Sequence, residues 1–307
     1  MRKRRFWRIA LLSLLFFTAA VYWFPGPRDP FSQPLSTVLL DRKGDLLGAR
    51  IAADGQWRFP PCEQAPEKFA RSAMEFEDRW LSLHPGVNPF SLVRAAYQNL
   101  RSGRIVSGGS TISMQVVRLS RKGKPRNLGE KLLEMMLALK LEMRHSKGEI
   151  MAMYASNAPF GGNVVGIDAA AWRYFGMPSD RLSWAEAAAL AVLPNSPALI
   201  HPGRNRDRFQ AKRDRLLYRL REAGRIDSLT YVLSLAEPLP AEPLPLPQRA
   251  PHLLNRMESG SPDRTVTSPV SGSLQDRVTD VVGSYSATFS LNGIHNAAAL
   301  VISVSTG

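Results

Sequence analysis

The chain contains one cysteine, Cys62, among 307 residues. A lone thiol excludes an intrachain disulfide and any cysteine-based metal site. His84, His145, His201 and His252 show no metal-ligand spacing, and no Asp-x-Asp pair is present to hold a divalent ion. The Gly-Gly-Ser-Thr run at 108–111 lacks the lysine of a phosphate-binding P-loop, so a nucleotide site is not indicated. There is no internal repeat and no readable Ser-His-Asp arrangement. Acidic residues are scarce: 26 Asp and Glu face 40 Lys and Arg, a formal charge of +14. An acidic, charge-neutral or purely polar disordered chain is thereby excluded, because 44% of the residues are hydrophobic and support a core.

Part of the positive charge is local. Arg2, Lys3, Arg4, Arg5 and Arg8 precede an uncharged run at 9–24, and Pro25, Gly26 and Pro27 end it. The run is at the short end of what crosses a bilayer, and Phe6 and Trp7 lengthen it if Arg8 snorkels. Tyr22 and Trp23 suit an interfacial belt. With no clean small-residue cleavage site, the expectation is an uncleaved anchor over 9–27, behind a cytoplasmic tail at 1–8. The remaining charge lies in Arg-rich stretches such as 204–225, which read either as a solvated helix face or as a surface for an anionic partner.

Residues 28–64 read as a linker and a small β-like lead-in, with a turn at Lys43-Gly44. Residues 65–235 are helical almost throughout. Phe69, Ala73, Phe76 and Trp80 make one apolar stripe. Asn88-Pro89 opens and Gly103 closes a second helix, and Ser110 opens a third. Asn127 with Glu130 caps a fourth reaching about Arg144, and Ser183 with Glu186 caps another. Asp207 to Ala223 is a basic helix. A Pro-rich spacer covers 236–264. Residues 265–307 read as a strand, a helix near 274–282 and a terminal strand, too little for a core of its own.

Three places can carry chemistry. Glu77 falls at the margin of the apolar stripe, where burial would raise its pKa and suit it to proton transfer. The alternative is a surface Glu paired to Arg71 or Arg79. On the third helix, Thr111, Gln115 and Arg118 share a face behind a glycine-rich N-terminus, which fits phosphate or sugar or an ordinary polar outer side. Glu134 is either a second active-site carboxylate or a partner of Lys131.

Taken together, these stretches resemble the glycosyltransferase domain of class A penicillin-binding proteins, the family 51 glycosyltransferases. The resemblance spans about Thr37 to Arg219, in five ordered blocks. The family's E-D-x-x-F-x-x-H-x-G run appears as Glu77-Asp78-Arg79-Trp80-Leu81 with His84 and Gly86. Its G-x-S-T-I-T-Q-Q run appears as 108–115, and its R-K-x-x-E run as Glu130-Lys131-Leu132-Leu133-Glu134. KGEIMAMYASNAPFGGN at 147–163 and VGIDAAAWRYFG at 165–176 resemble the last two. Leu81, Ser113, Met114 and Glu130 depart from the pattern. The substitutions, with APHLLNRM at 250–257, look most like the 1C type.

The resemblance implies a mainly α, lysozyme-like glycosyltransferase domain with an N-terminal transmembrane helix and a short α/β C-terminal remnant. Residues 265–307 resemble the start of a transpeptidase domain, but no S-x-x-K occurs, so a transpeptidase site is not expected in this chain. The implied reaction polymerises lipid II into glycan strands and releases undecaprenyl pyrophosphate. Glu77 and Glu134 would be catalytic. Asp78, His84, Ser110, Thr111, Gln115, Arg118 and Lys131 would bind substrate. No cofactor is expected, beyond a divalent cation such as magnesium helping to neutralise pyrophosphate. Lipid II, the growing glycan, the membrane and other cell-wall synthesis proteins are the expected partners, and nucleic acid is not. The expected location is the inner membrane, single-pass, with the catalytic domain periplasmic. The rival readings are a lytic cell-wall hydrolase and an inactive anchored scaffold.

Overall fold

The computed structural model describes Trp23 and residues 30–104, 108–121, 124, 127–194, 205–260, 263–302 and 304. The expected anchor at 9–27 lies outside these apart from Trp23. Among the described residues no helix is long and apolar enough to cross a membrane. The chain divides into two compact units, residues 1–34 with 61–244 and residues 35–60 with 245–307.

The first unit is helical, as expected. Its elements are α1 (Glu67–Glu77), α2 (Pro89–Ser102), α3 (Ile112–Ser120), α4 (Leu128–Arg144), α5 (Lys147–Asn157), α6 (Ile167–Phe175), α7 (Trp184–Val192), α8 (Arg206–Glu222) and α9 (Ser228–Ala236). At its centre is α7, whose Ala185, Ala187, Ala188, Ala189, Leu190, Ala191 and Val192 are all buried. A helix apolar all round belongs inside a protein. Its alanines let α1 and α8 pack closely against it. Phe69 of α1 meets Tyr154 of α5 and Phe160, with ring centroids 6.5 and 5.9 Å apart.

The helix ends follow local chemistry. Asn88 accepts from the Ser91 N–H and Gly103 takes the left-handed C-cap. Ser146 with Glu149 and Ser183 with Glu186 close two reciprocal capping boxes. Arg213, buried on α8, donates to the carbonyls of Glu237 (2.6 Å) and Leu235 (3.3 Å) at the end of α9. Two expectations shift. Thr111, not Ser110, caps α3. Trp80 leaves the apolar stripe, because α1 stops at Glu77 and Trp80 is exposed.

The second unit holds a three-stranded sheet in the order β2-β1-β3, with β1 Thr37–Leu40, β2 Leu46–Arg50 and β3 Thr265–Thr267. The β1–β2 hairpin is antiparallel, with Thr37 opposite Arg50 and an irregularity at Leu39/Leu40. β3 runs parallel to β1 on its other edge. Leu39 and Leu47 pack on Leu254 of the helix Pro251–Gly260. The following helix, expected near 274–282, runs from Gly272 to Ser290. Among the described residues the expected terminal strand does not form: residues 294–302 are exposed and irregular.

Candidate active site

Glu77 is the last residue of α1, and Asp78 explains why. Asp78 leaves the helix at φ −154°, ψ 72°. Its carboxylate is buried and accepts from the Ile112 N–H at 3.1 Å, at the start of α3. It also accepts from His84 Nε2, at 3.0 and 3.1 Å. The His84 tautomer follows from its other nitrogen: Nδ1 accepts from the Gly86 N–H (3.2 Å), so the proton sits on Nε2. Thr111 closes the loop. Its hydroxyl donates to the Gly86 carbonyl (2.5 Å) and accepts from the Met114 N–H (3.2 Å). The two sequence blocks are therefore one hydrogen-bonded frame. Gly86 is required in it: φ is +98°, and a Cβ there would lie 2.7 Å from the Ala138 carbonyl oxygen.

That frame aims Glu77. Gln115, one turn along α3 from Thr111, donates from Nε2 to Glu77 Oε2 at 2.8 Å. Glu77 is half-buried. Burial pushes the Tyr154 phenol well up, and the Glu77 charge adds to this. Burial lowers the Lys212 ammonium, and Glu77 opposes that shift. Tyr154 of α5 and Lys212 of α8 are thus both within electrostatic reach of Glu77.

A cleft of about 360 Å³ opens in front of it, bordered by Trp80, Ser91, Arg94, Ser110, Arg79, Arg215 and Arg219. Arg79 and Arg219 are both held by Glu75, whose carboxylate is only 5% exposed. Arg79 donates to it from Nε at 3.0 Å, and Arg219 at 3.1 Å. Sequence reasoning missed Glu75, Arg79, Arg94, Arg215 and Arg219 as residues of this site. The available signal was weak: Glu75 and Arg79 are four apart, and Arg215 and Arg219 are four apart on the basic helix.

A second group adjoins the first through Ser110. Arg118 makes a two-pronged contact with Glu134, Nε to Oε1 and Nη2 to Oε2, each 2.9 Å. Its Nη2 also donates to Ser110 Oγ at 3.1 Å. Glu134 is buried and its partner is Arg118 rather than Lys131. Lys131 is half-exposed and, among the described residues, makes no ion pair. Glu130 pairs with Arg121 (2.6 Å), whose hydrogen bond draws the Glu130 carboxyl below its ordinary range.

The structure pairs Gln115 with Glu77, joins Ser110, Arg118 and Glu134 by direct contacts, and sets Ser110 on the same cleft as Glu77. It places Asp78, His84 and Thr111 in the buried wall, with their polar side-chain atoms bonded to protein partners. Three of the four departures, Leu81, Ser113 and Met114, fall on fully or almost fully buried positions facing the core. Only Glu130 alters the charge beside the site.

Residues 44–221 match the transglycosylase family, and the chain belongs to it. Penicillin-binding protein 1C of Escherichia coli is 39% identical over 249 residues, covering 81% of this chain and 32% of that protein. Penicillin-binding protein 1A of Aquifex aeolicus is 34% identical over 231 residues, covering 74% and 32%. The 1A protein of Pseudomonas aeruginosa is 36% identical over 233 residues, covering 74% and 28%. The chain spans about a third of the length of the curated relatives it matches.

Among the described residues, no three His, Cys, Asp or Glu side chains gather as a metal site. Asp78 is bonded to His84, Glu134 to Arg118 and Glu130 to Arg121. These residues do not fit a resident divalent ion.

Proposed function

We propose that this chain is a peptidoglycan glycosyltransferase that polymerises lipid II into glycan strands, releasing undecaprenyl pyrophosphate. The observation that carries the reading is a half-buried carboxylate, Glu77, held by Gln115 at the mouth of an arginine-bordered cleft. In this reading Glu77 takes the proton from the 4-hydroxyl of the incoming sugar. The oxygen then attacks the anomeric carbon of the growing chain, and the C–O bond to the diphosphate breaks with its electrons. Family membership and the motif residues Glu77, Gln115, Lys131 and Glu134 support this assignment.

Arg118 and Lys131 would hold the leaving diphosphate. Glu134 and Ser110 fix the Arg118 guanidinium, by a two-pronged contact and one further hydrogen bond. Asp78, His84 and Thr111 act at one remove, by holding α3 and hence Gln115 in place. No step is routed through a metal ion.

Placement at a bilayer belongs to the same proposal. The run at 9–24, expected as a single-pass inner-membrane anchor with the domain on the periplasmic side, would bring the enzyme to a lipid-borne substrate. The helix α2 carries Phe90, Val93, Tyr97 and Leu100 exposed along one side, which suits contact with lipid.

The test is incubation with purified lipid II. Glycan polymer is the expected product. Cleavage of finished glycan instead would establish a lytic hydrolase, and neither product under any lipid condition would establish a scaffold.

A further inference from the structure

We propose that Lys147, with Glu142 as its counter-ion, is a positioning residue for the reaction: it holds the turn at 84–86 against which α3, Gln115 and finally Glu77 are set. The proposal rests on the glycosyltransferase reading above and deepens it at residues that do not border the cleft.

The turn has little freedom. Gly86 is pressed onto α4, where a Cβ would meet the Ala138 carbonyl oxygen at 2.7 Å and Glu142 Cγ at 2.9 Å. Asp78 holds the His84 ring, and Thr111 holds the Gly86 carbonyl. The His84 carbonyl is taken by Lys147, whose Nζ donates to it at 2.6 Å. A charged donor makes a hydrogen bond roughly twice as strong as a neutral one.

Lys147 is fixed in turn by Glu142. Its Nζ lies 2.6 Å from Glu142 Oε2. The Glu142 side chain is only 6% exposed, and its Oε1 accepts from Ser113 Oγ of α3 at 2.5 Å. Glu142 thus ties the first residue of α5 to α3. The neighbours Ile112 and Ser113 are then held from two sides, the Ile112 N–H by Asp78 and the Ser113 hydroxyl by Glu142. Gln115 follows two residues later and reaches Glu77.

Desolvation of Glu142 offsets much of the attraction, so the pair adds little net stability. What it supplies is a fixed geometry between α3, α5 and the turn. None of Ser113, Glu142 and Lys147 borders the Glu77 cleft. Lys147 borders a different cavity, of about 450 Å³, together with Leu81 and Ser82. Its loss therefore acts on the aim of the base and not on substrate affinity. A misplacement of about 1 Å at a reacting group costs on the order of 100-fold in rate.

The experiment measures lipid II polymerisation by the full chain in Lys147→Met, Lys147→Arg and the double variant Glu142→Gln/Lys147→Met, which leaves no buried charge unpaired. Arg213→Met is the control for stability loss alone. The expected result is a kcat per folded enzyme lowered about 10-fold or more in Lys147→Met and in the double variant, with KM within about threefold. Lys147→Arg should recover part of kcat, and Arg213→Met should keep it. In a Gln115→Ala background, Lys147→Met should cost less than about threefold, because both changes act on the same contact. An unchanged kcat in the folded double variant, or a full loss added to that of Gln115→Ala, overturns the proposal. Amide exchange without substrate tests the same link: in Lys147→Met, exchange at Ile112 should quicken about 10-fold more than at Leu190 in the core. Equal change at both amides overturns it. Absence of polymer from wild type counts against the glycosyltransferase reading alone, and the exchange result still decides whether Lys147 sets α3.

Discussion

A carboxylate serves as a base only when its lone pair is aimed, and Glu77 is aimed by a neutral amide. Gln115 donates one N–H to Oε2 at 2.8 Å, and Glu77 borders the cleft. Glu77→Gln should abolish polymer formation by at least about 100-fold while leaving the thermal midpoint nearly unchanged; a gel assay with labelled lipid II and a melting curve check both. Arg213 is the opposite kind of residue, only 1% exposed and bonded to backbone carbonyls. Arg213→Met would orphan the Leu235 and Glu237 carbonyls. Each lost partner costs about 1–3 kcal/mol, so the urea midpoint should drop sharply with kcat intact in what remains folded. At this scale, Glu77 was legible because its place beside Phe69, Ala73 and Phe76 is a matter of helical spacing. Trp80 was misread because spacing alone does not say where a helix stops.

What stops α1 is an interaction between elements. Asp78 gives up helical geometry and in return accepts hydrogen bonds from the Ile112 N–H at the start of α3 and from His84 Nε2. Asp78→Ala would remove an N-terminal partner of α3 and a buried acceptor for His84. A stability loss of about 2–4 kcal/mol is expected, with a lower kcat because Gln115 rides on α3. Asp78→Asn, which keeps one acceptor oxygen, should recover part of both in denaturation and turnover measurements. Caps such as Asn88, Asn127 and Ser183 were readable because each bond closes within three residues. The bond from Ile112 to Asp78 spans 34 residues and has no local mark in the sequence.

For the molecule as a whole, the sheet unit shows the same division. Asp41 ends the first strand. Its Oδ1 accepts from the N–H groups of Lys43 (2.7 Å) and Asp45 (3.0 Å), and its Oδ2 from Gly272 at 3.1 Å. Burial alone would raise its pKa, but the Gly272, Lys43 and Asp45 N–H groups and the Lys43 charge outweigh it, and the carboxyl titrates below its ordinary range. A depressed folded pKa means that the unfolded chain binds the proton first. The stabilisation is thus present above roughly pH 4 and disappears as pH falls through the folded value. Amide exchange at Val38 and Val266, corrected for intrinsic rates, should show protection falling between about pH 5 and 3. In Asp41→Asn that dependence should be much flatter, and protection at neutral pH lower.

By itself the amino-acid order determined the helices, most of their ends, the family and the acid expected to act as base. Those depend on side-chain spacing along a few turns and on ordered motif blocks. Only the tertiary structure decided which cation neutralises which carboxylate. Arg118 lies 16 residues from Glu134, and Arg219 lies 144 from Glu75. It also set the strand from Thr265 beside the one from Thr37. Coulomb attraction and backbone hydrogen bonds act over a few ångströms and are blind to distance along the chain. Their partners are therefore chosen by packing.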